Sequence, residues 1–151
     1  MARVIVYDRC VLAARDTCLR LRRRHRLEAE AVHPTDFDLT FNDGPPPALI
    51  VTELQMPMFS GFELIRRVRS VYKASQVPII AYTAIDDALA WDQAREVGAS
   101  QVVYRVGGDP LARLDSAVEK LLRKPLAMPV ARQQGRLLRF FMPSRATAVA
   151  A

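Results

Sequence analysis

Short apolar runs alternate with segments of helical period along the first 122 residues of the chain. The β-branched runs from Arg3 to Tyr7 and from Ala48 to Val51 predict buried strands, and the apolar spacing over Gly61 to Tyr72 predicts a helix. The same reading predicts strands over 27–32, 77–82 and 101–104 and helices over 11–26, 36–41, 86–97 and 110–122. Five strand-helix units in succession predict a doubly wound, five-stranded parallel α/β fold with helices on both faces of the sheet.

A polar or charged residue stands at the end of four of the five predicted strands. These residues are Asp8, Glu53, Thr83 and Arg105. Because the carboxyl ends of parallel strands meet at one edge of the sheet, we expect the four side chains to lie together in a site.

The segment from Ala48 to Gly61 carries the most informative motif. It joins a strand to an acid and then to a Met-Pro loop that closes on glycine, in the spacing E-x-x-M-P-x-x-x-G. With the polar residues at the strand ends, it resembles the receiver domain of CheY-like response regulators over about residues 2–122. In that family an aspartate at the position of Glu53 accepts a phosphoryl group. The resemblance further implies that Thr83 stands where receivers contact this group, and that Arg105 replaces their lysine.

The chain departs from that family at several positions. One acid of the family's Mg²⁺-binding pair is replaced, so that the pair reads Tyr7-Asp8, Val106 stands in place of a proline and Val102 in place of an aromatic switch residue. Phosphoryl transfer to a carboxylate needs a nucleophile placed in line and a cation to neutralise charge, and a displacement of about 1 Å can cost roughly 10²-fold in rate.

We therefore expect a non-enzymatic receiver that phosphorylation does not switch and whose Mg²⁺ binding is in doubt. Glu53 would then act as a permanent partial mimic of a phosphoaspartate or as a structural partner of Arg105. The alternative is a retired site that is kept for packing, because a fold by itself does not determine function.

Charge divides the chain into a balanced domain, residues 1–122, and a basic extension, residues 123–151. The chain holds 22 Lys and Arg against 16 Asp and Glu, and the six basic residues after Leu122 account for its whole net charge of +6. An all-basic segment of this kind predicts an anionic partner.

The extension contains three arginines at a helical spacing, Arg132, Arg136 and Arg139, followed by Phe140. Guanidinium groups can bind phosphate oxygens or a guanine edge and can stack on a base. The Arg132-x-x-x-Arg136 spacing resembles the arginine pair of cyclic di-GMP receptors, and CheY-like effectors with arginine-rich extensions act on the flagellar motor. The resemblance predicts cyclic di-GMP as the ligand and a protein target on the helix 4 to helix 5 face, such as the motor switch. Aromatic and basic residues of that face are expected to complete the ligand site, with candidates Tyr82, Trp91, Tyr104 and Arg113.

Other interpretations of the extension stay open. It could bind nucleic acid through phosphates, although three prolines leave no room for a helix-turn-helix reader of specific DNA. It could instead lie on a membrane surface, or be a disordered end on a receiver that docks proteins. No apolar stretch approaches the roughly 20 residues of a membrane span, so a cytoplasmic protein, recruited to a flagellar motor or cell pole, is expected.

Two further features of the sequence carry weaker predictions. Five arginines between Arg20 and Arg26, with His25 among them, predict a solvated basic helix end. Neither histidine has the spacing to cysteine or carboxylate that would predict a metal site.

Overall fold

The computed structural model describes residues 2–41 and 44–123, which contain five strands and five helices. The strands are β1 Arg3–Tyr7, β2 Glu28–Val32, β3 Leu49–Thr52, β4 Ile79–Thr83 and β5 Gln101–Tyr104. The helices are α1 Val11–His25, α2 Phe37–Phe41, α3 Gly61–Val71, α4 Ala88–Val97 and α5 Pro110–Arg123, and a 3₁₀ turn, Pro34–Asp36, precedes α2. The predicted elements are all present, with boundaries displaced by one or two residues.

All five strands are parallel and lie in the order β2-β1-β3-β4-β5. From β1 the chain passes outward to β2 and then returns to β3 on the other side of β1. The strand order therefore reverses between β1 and β3, and in open α/β sheets a crevice forms at that point, beyond the carboxyl ends of the strands. Asp8 follows β1 and Glu53 follows β3, so both acids lie at this crevice.

Two apolar clusters cover the two faces of the sheet, and successive strand residues alternate between them. Val4 and Val6 point into the cluster under α1 and α5, whereas Ile5 and Tyr7 point into the cluster under α2, α3 and α4. Burial on both faces explains why β3 and β4 read as continuous apolar runs. Each large side chain that is fully buried here, Ile50 for example, contributes about 2 kcal/mol through loss of contact with water.

The start of α3 fixes the loop that carries Glu53. Ser60 caps the helix by accepting a hydrogen bond from the Glu63 N–H at 3.2 Å, and the Gly61 N–H donates to the Leu54 carbonyl at 2.9 Å. A Cβ on Gly61 would lie 2.2 Å from the backbone oxygen of Glu53. Only glycine therefore allows the helix to approach the end of β3 so closely.

An ion-paired cluster joins α1 to α5. Asp115 on α5 accepts hydrogen bonds from Arg20 Nε at 2.9 Å and pairs with His25 Nε2 at 2.9 Å. The prediction that His25 belongs to a solvated surface is wrong, because its side chain is only 9% exposed. Its partner lies 90 residues away, and periodicity within α1 carries no information about that contact. Of the neighbouring arginines, Arg23 and Arg24 are exposed.

Within the described part of the chain, no helix is long and apolar enough to cross a membrane.

Candidate functional site

Asp8, Glu53 and Arg105 meet at the carboxyl edge of the sheet. Nη1 of Arg105 lies 2.6 Å from Oδ2 of Asp8 and 3.3 Å from Oε2 of Glu53, so one guanidinium nitrogen bridges both acids. The exposed fractions of the Asp8 and Glu53 side chains are 5% and 6%, and that of Arg105 is 17%. Two carboxylates buried this deeply require a cationic partner, and Arg105 supplies it.

The Glu53 carboxylate accepts hydrogen bonds from three backbone N–H groups. Oε1 accepts hydrogen bonds from the N–H groups of Leu54 at 2.7 Å and Gln55 at 3.2 Å, so the side chain folds back on its own loop. Oε2 accepts from the Ala84 N–H at 3.1 Å and also faces Arg105. The extra methylene of glutamate thus lets one carboxylate span the gap between the ends of β3 and β4.

Asp8 is held from two sides. Its Oδ1 accepts a hydrogen bond from the Cys10 N–H at 2.8 Å, while its Oδ2 binds Arg105. Cys10 is the residue that precedes α1, so this bond ties the acid to the beginning of that helix. Charge-assisted hydrogen bonds of this kind are roughly twice as strong as neutral ones.

The guanidinium of Arg105 stays charged in this position. Burial alone would lower the pKa of Arg105, but the hydrogen bond to Asp8 and the charges of Asp8 and Glu53 outweigh burial and raise the pKa above its usual value. The guanidinium carbon also lies 5.1 Å from the centre of the Tyr82 ring, at a distance that suits a cation–π interaction. Burial in turn raises the pKa of Tyr82, so its phenol is neutral.

Thr83 lies fully buried at the end of β4, beside this cluster. Its hydroxyl oxygen accepts a hydrogen bond from the Ile85 N–H at 3.1 Å, and its carbonyl accepts from the Arg105 N–H at 2.9 Å. The contact between β4 and Glu53 runs through the N–H of the next residue, Ala84. A backbone donor has no side-chain identity, so nothing in the sequence indicates this contact.

The residues present do not fit a Mg²⁺ site. Tyr7 stands where receivers have one acid of their Mg²⁺-binding pair, and it points away from the crevice, into the core, where its ring lies 5.5 Å from that of Phe37. The remaining acid at this end of β1, Asp8, is already bound to Arg105. Among residues 2–41 and 44–123, no group of three or more metal-ligating side chains is arranged around a common point.

This arrangement holds the strand ends at the carboxyl edge of the sheet together through ion pairs and hydrogen bonds. Both oxygens of the Glu53 carboxylate accept hydrogen bonds, and the side chain is buried. The cluster connects the ends of β1, β3, β4 and β5 through the carboxylates of Asp8 and Glu53, the Ala84 N–H and the guanidinium of Arg105.

Of the residues predicted to complete a ligand site on the α4 to α5 face, Trp91 and Arg113 contact Tyr104, whereas Tyr82 is buried in the cluster under α1 and α5. The Trp91 ring centre lies 5.9 Å from that of Tyr104, and Trp91 Nε1 donates to the Ile85 carbonyl at 2.7 Å. Arg113 donates to the carbonyls of Tyr104, Val106 and Gly107, so its guanidinium fixes the loop that precedes α5. The other predicted ligand residues, Arg132, Arg136, Arg139 and Phe140, lie outside the described residues.

No family model matches the chain. A stretch of 66 residues is 30% identical to the chemotaxis protein CheV1 of Helicobacter pylori, which corresponds to 44% of this chain and 21% of that protein. The chain therefore spans only about a fifth of the length of this curated relative.

Several solved structures share the fold. A response regulator receiver domain protein from Clostridium thermocellum superposes with a TM-score of 0.73 at 19% identity, over 85% of this chain and 100% of that one. The chemotaxis response regulator CheY4 of Vibrio cholerae gives 0.68 at 20% identity, over 80% and 98%. A probable two-component response regulator/GGDEF domain protein gives 0.73 at 22% identity, over 81% of this chain and 49% of that one. The described domain thus has the fold of a CheY-like receiver, as the sequence predicted.

Proposed function

We propose that this receiver-fold chain is a non-enzymatic signalling regulator that works without phosphorylation, binds cyclic di-GMP through its arginine-rich extension and then docks a protein target. The observation that carries the first part is the bridge from Arg105 to both Asp8 and Glu53. An internal cation occupies the acidic crevice, and the carboxylate at the phosphoacceptor position is fully hydrogen-bonded.

Glu53 supports this proposal in a second way. Its carboxylate reaches from the end of β3 to the Ala84 N–H, directly after the threonine that in receivers contacts the phosphoryl group. The oxygen that makes this contact also faces Arg105. Glutamate at this position therefore holds the ends of β3, β4 and β5 together in one permanent arrangement, as a partial mimic of a phosphoaspartate would.

Binding of the signalling ligand is then assigned to the basic extension. Arg132, Arg136 and Arg139 stand at i, i+4 and i+7, in a segment that holds six basic residues and no acid. A cyclic dinucleotide offers two phosphates and two guanines, and arginine is the side chain that binds both. The output is assigned to the face of α4, β5 and α5, where the Trp91 ring packs against that of Tyr104 and Leu89 of α4 is 78% exposed. The flagellar motor switch is the target that the resemblance to CheY-like effectors suggests.

Isothermal titration with cyclic di-GMP, GTP and cyclic AMP tests the ligand assignment. We expect saturable binding of cyclic di-GMP alone, weakened at least about a hundredfold by Arg132→Ala with Arg136→Ala, because each lost charge-assisted contact costs roughly tenfold. The matched control is Arg66→Ala with Arg67→Ala, which removes two positive charges from α3. Equal binding by all three nucleotides, or no effect of the extension variant, would refute the assignment.

A further inference from the structure

A shallow groove of about 460 Å³ runs between α1 and α5 and is lined by basic and apolar side chains. Its arginines are Arg20, Arg23 and Arg24, and its apolar residues are Leu19 and Leu111. Asp16 is the acid of this lining. The groove therefore combines positive charge with an apolar floor.

The guanidinium groups of Arg23 and Arg24 are available to a partner. Both side chains are exposed, and they form no hydrogen bond or ion pair with any other described residue. Arg20 donates to Asp115 of α5, so a carboxylate from a neighbouring helix already lies against α1. The dipole at the C-terminus of α1 amounts to about half a negative charge. A positive excess remains after the dipole and Asp16 are counted, so the groove attracts an acidic surface.

The outer side of α4 carries the opposite charge and an apolar residue of its own. Leu89, Asp92 and Glu96 are exposed, and their i, i+3, i+7 spacing places them on one face of the helix. Asp92 pairs with Arg95 at 3.1 Å, whereas the side chain of Glu96 has no partner among the described residues. Over residues 86–97 four acids stand against one arginine, so this face is negative.

The groove and α4 match in spacing as well as in charge. On α1, Arg23 lies four residues beyond Leu19, and on α4, Asp92 lies three residues beyond Leu89. At 1.5 Å per residue these separations are about 6 and 4.5 Å, so two parallel helices can place leucine on leucine and acid beside arginine. Glu96 lies one turn farther along α4, toward the basic last turn of α1.

These two surfaces belong to opposite faces of the sheet. α1 and α5 pack on one apolar cluster, and α4 packs on the other. The acidic helix therefore cannot reach the groove of its own molecule, and a two-fold dimer cannot bring both pairs of surfaces together at once. A second copy can fill the groove in a head-to-tail contact, which leaves one groove and one acidic helix free for further copies.

Two other occupants suit the groove less well. Residues 123–151 of the same chain hold six basic residues and no acid, so like charges oppose that contact. A single-stranded nucleic acid needs side chains on which its bases can stack, and none of the described residues that line the groove is aromatic.

We propose that α4 of one copy docks in the α1–α5 groove of a second copy, with Leu89 over the apolar floor and the acids of α4 on Arg23 and Arg24. This inference goes beyond the proposed function and does not depend on its ligand. The contact covers Leu89, which belongs to the face assigned to the protein target, so self-association and target docking compete for α4. A single helix in a shallow groove buries less than the roughly 1,200 Å² of a standard interface, so the association is weak, with a Kd on the order of 0.1 mM.

Sedimentation velocity of the full chain without nucleotide, at concentrations up to about 0.5 mM, tests the contact. We expect the mean mass of the wild type to rise with concentration. Charge reversal on either surface should weaken association at least about tenfold, because like charges then face each other. The groove variant is Arg23→Glu with Arg24→Glu, and the helix variant is Asp92→Lys with Glu96→Lys.

A variant on α3 controls for net charge. Arg66→Glu with Arg67→Glu changes the charge by the same amount as the groove variant, at exposed positions, and keeps both surfaces. Its association should stay within about threefold of the wild type. An equal loss in this control would attribute the effect to net charge and overturn the proposed contact.

Mixing the two reversed variants distinguishes a lost contact from a misfolded chain. Each variant carries the surface that the other has lost, so an equimolar mixture should associate although neither variant does so alone. A wild type that stays monomeric over the whole range, association that the groove variant retains, or a mixture that stays monomeric overturns the proposal. None of these results bears on the binding of cyclic di-GMP, which isothermal titration measures separately.

Discussion

Replacing Arg105 with methionine is expected to lower the free energy of unfolding by about 3 kcal/mol at neutral pH, the lower end of the cost of breaking a buried ion pair. The substitution keeps most of the apolar stem but leaves the carboxylates of Asp8 and Glu53 buried without their cation. The partial exposure of Arg105, 17%, places the effect at that lower end. Urea unfolding of the wild type and the variant measures it.

A second substitution separates the lost charge pair from lost packing. Adding Asp8→Asn to Arg105→Met removes one of the stranded charges, and the amide oxygen can still accept from the Cys10 N–H. We expect the double variant to recover about half of the loss, and Arg66→Met, an exposed arginine on α3, to change stability by less than about 0.5 kcal/mol. Simple additivity of the Asp8 and Arg105 effects would show that the two residues do not interact.

Asp115→Asn is expected to cost about 2 kcal/mol at neutral pH, because it leaves His25 and Arg20 without their shared carboxylate. The effect is smaller than for Arg105 because the side chain of Arg20 is 38% exposed and water screens its charge. Asp92→Asn, on a surface pair of α4, serves as the control and should change stability by less than about 0.5 kcal/mol.

The loss of unfolding free energy that Asp115→Asn causes should depend on pH. Burial alone would raise the pKa of Asp115, but hydrogen bonds and charges from Arg20 and His25 outweigh it and lower the pKa below its usual value. A carboxyl group with a lowered folded pKa stabilises the protein fully above its unfolded pKa, about 3.9, and loses that stabilisation as pH falls through the folded value. The difference between wild type and variant should therefore be present at about pH 5 and shrink below about pH 4. A difference that grows as the pH falls from about 5 to about 3 would contradict this assignment.

The sequence predicted most of the fold because the buried strands are continuous apolar runs with polar residues at their ends. β3 and β4 are buried on both faces, so their composition alone distinguishes them from helices. The convergence of Asp8, Glu53 and Arg105 followed from parallel topology, which brings strand ends together whatever their separation along the chain.

Contacts between distant side chains were not predictable in the same way. The pairing of His25 with Asp115 depends on how α1 and α5 pack. The hydrophobic periodicity of a helix does not identify the helix that packs beside it. The direction of Tyr7 was not predicted, because its place beside Asp8 in the sequence does not say toward which face of β1 its ring points. The carbonyl contacts of Arg113 depend on the path of the Val106–Gly107 loop, which composition does not specify.

The measurement that tests the closed acidic site most directly is intact mass after treatment with acetyl phosphate and Mg²⁺, beside a phosphorylatable receiver as a positive control for the donor. We predict no gain in mass for this chain, because Glu53 is buried with both carboxylate oxygens bonded and Arg105 holds the place beside Asp8. Addition of one phosphoryl group to the wild type, lost in Glu53→Gln, would contradict the central claim.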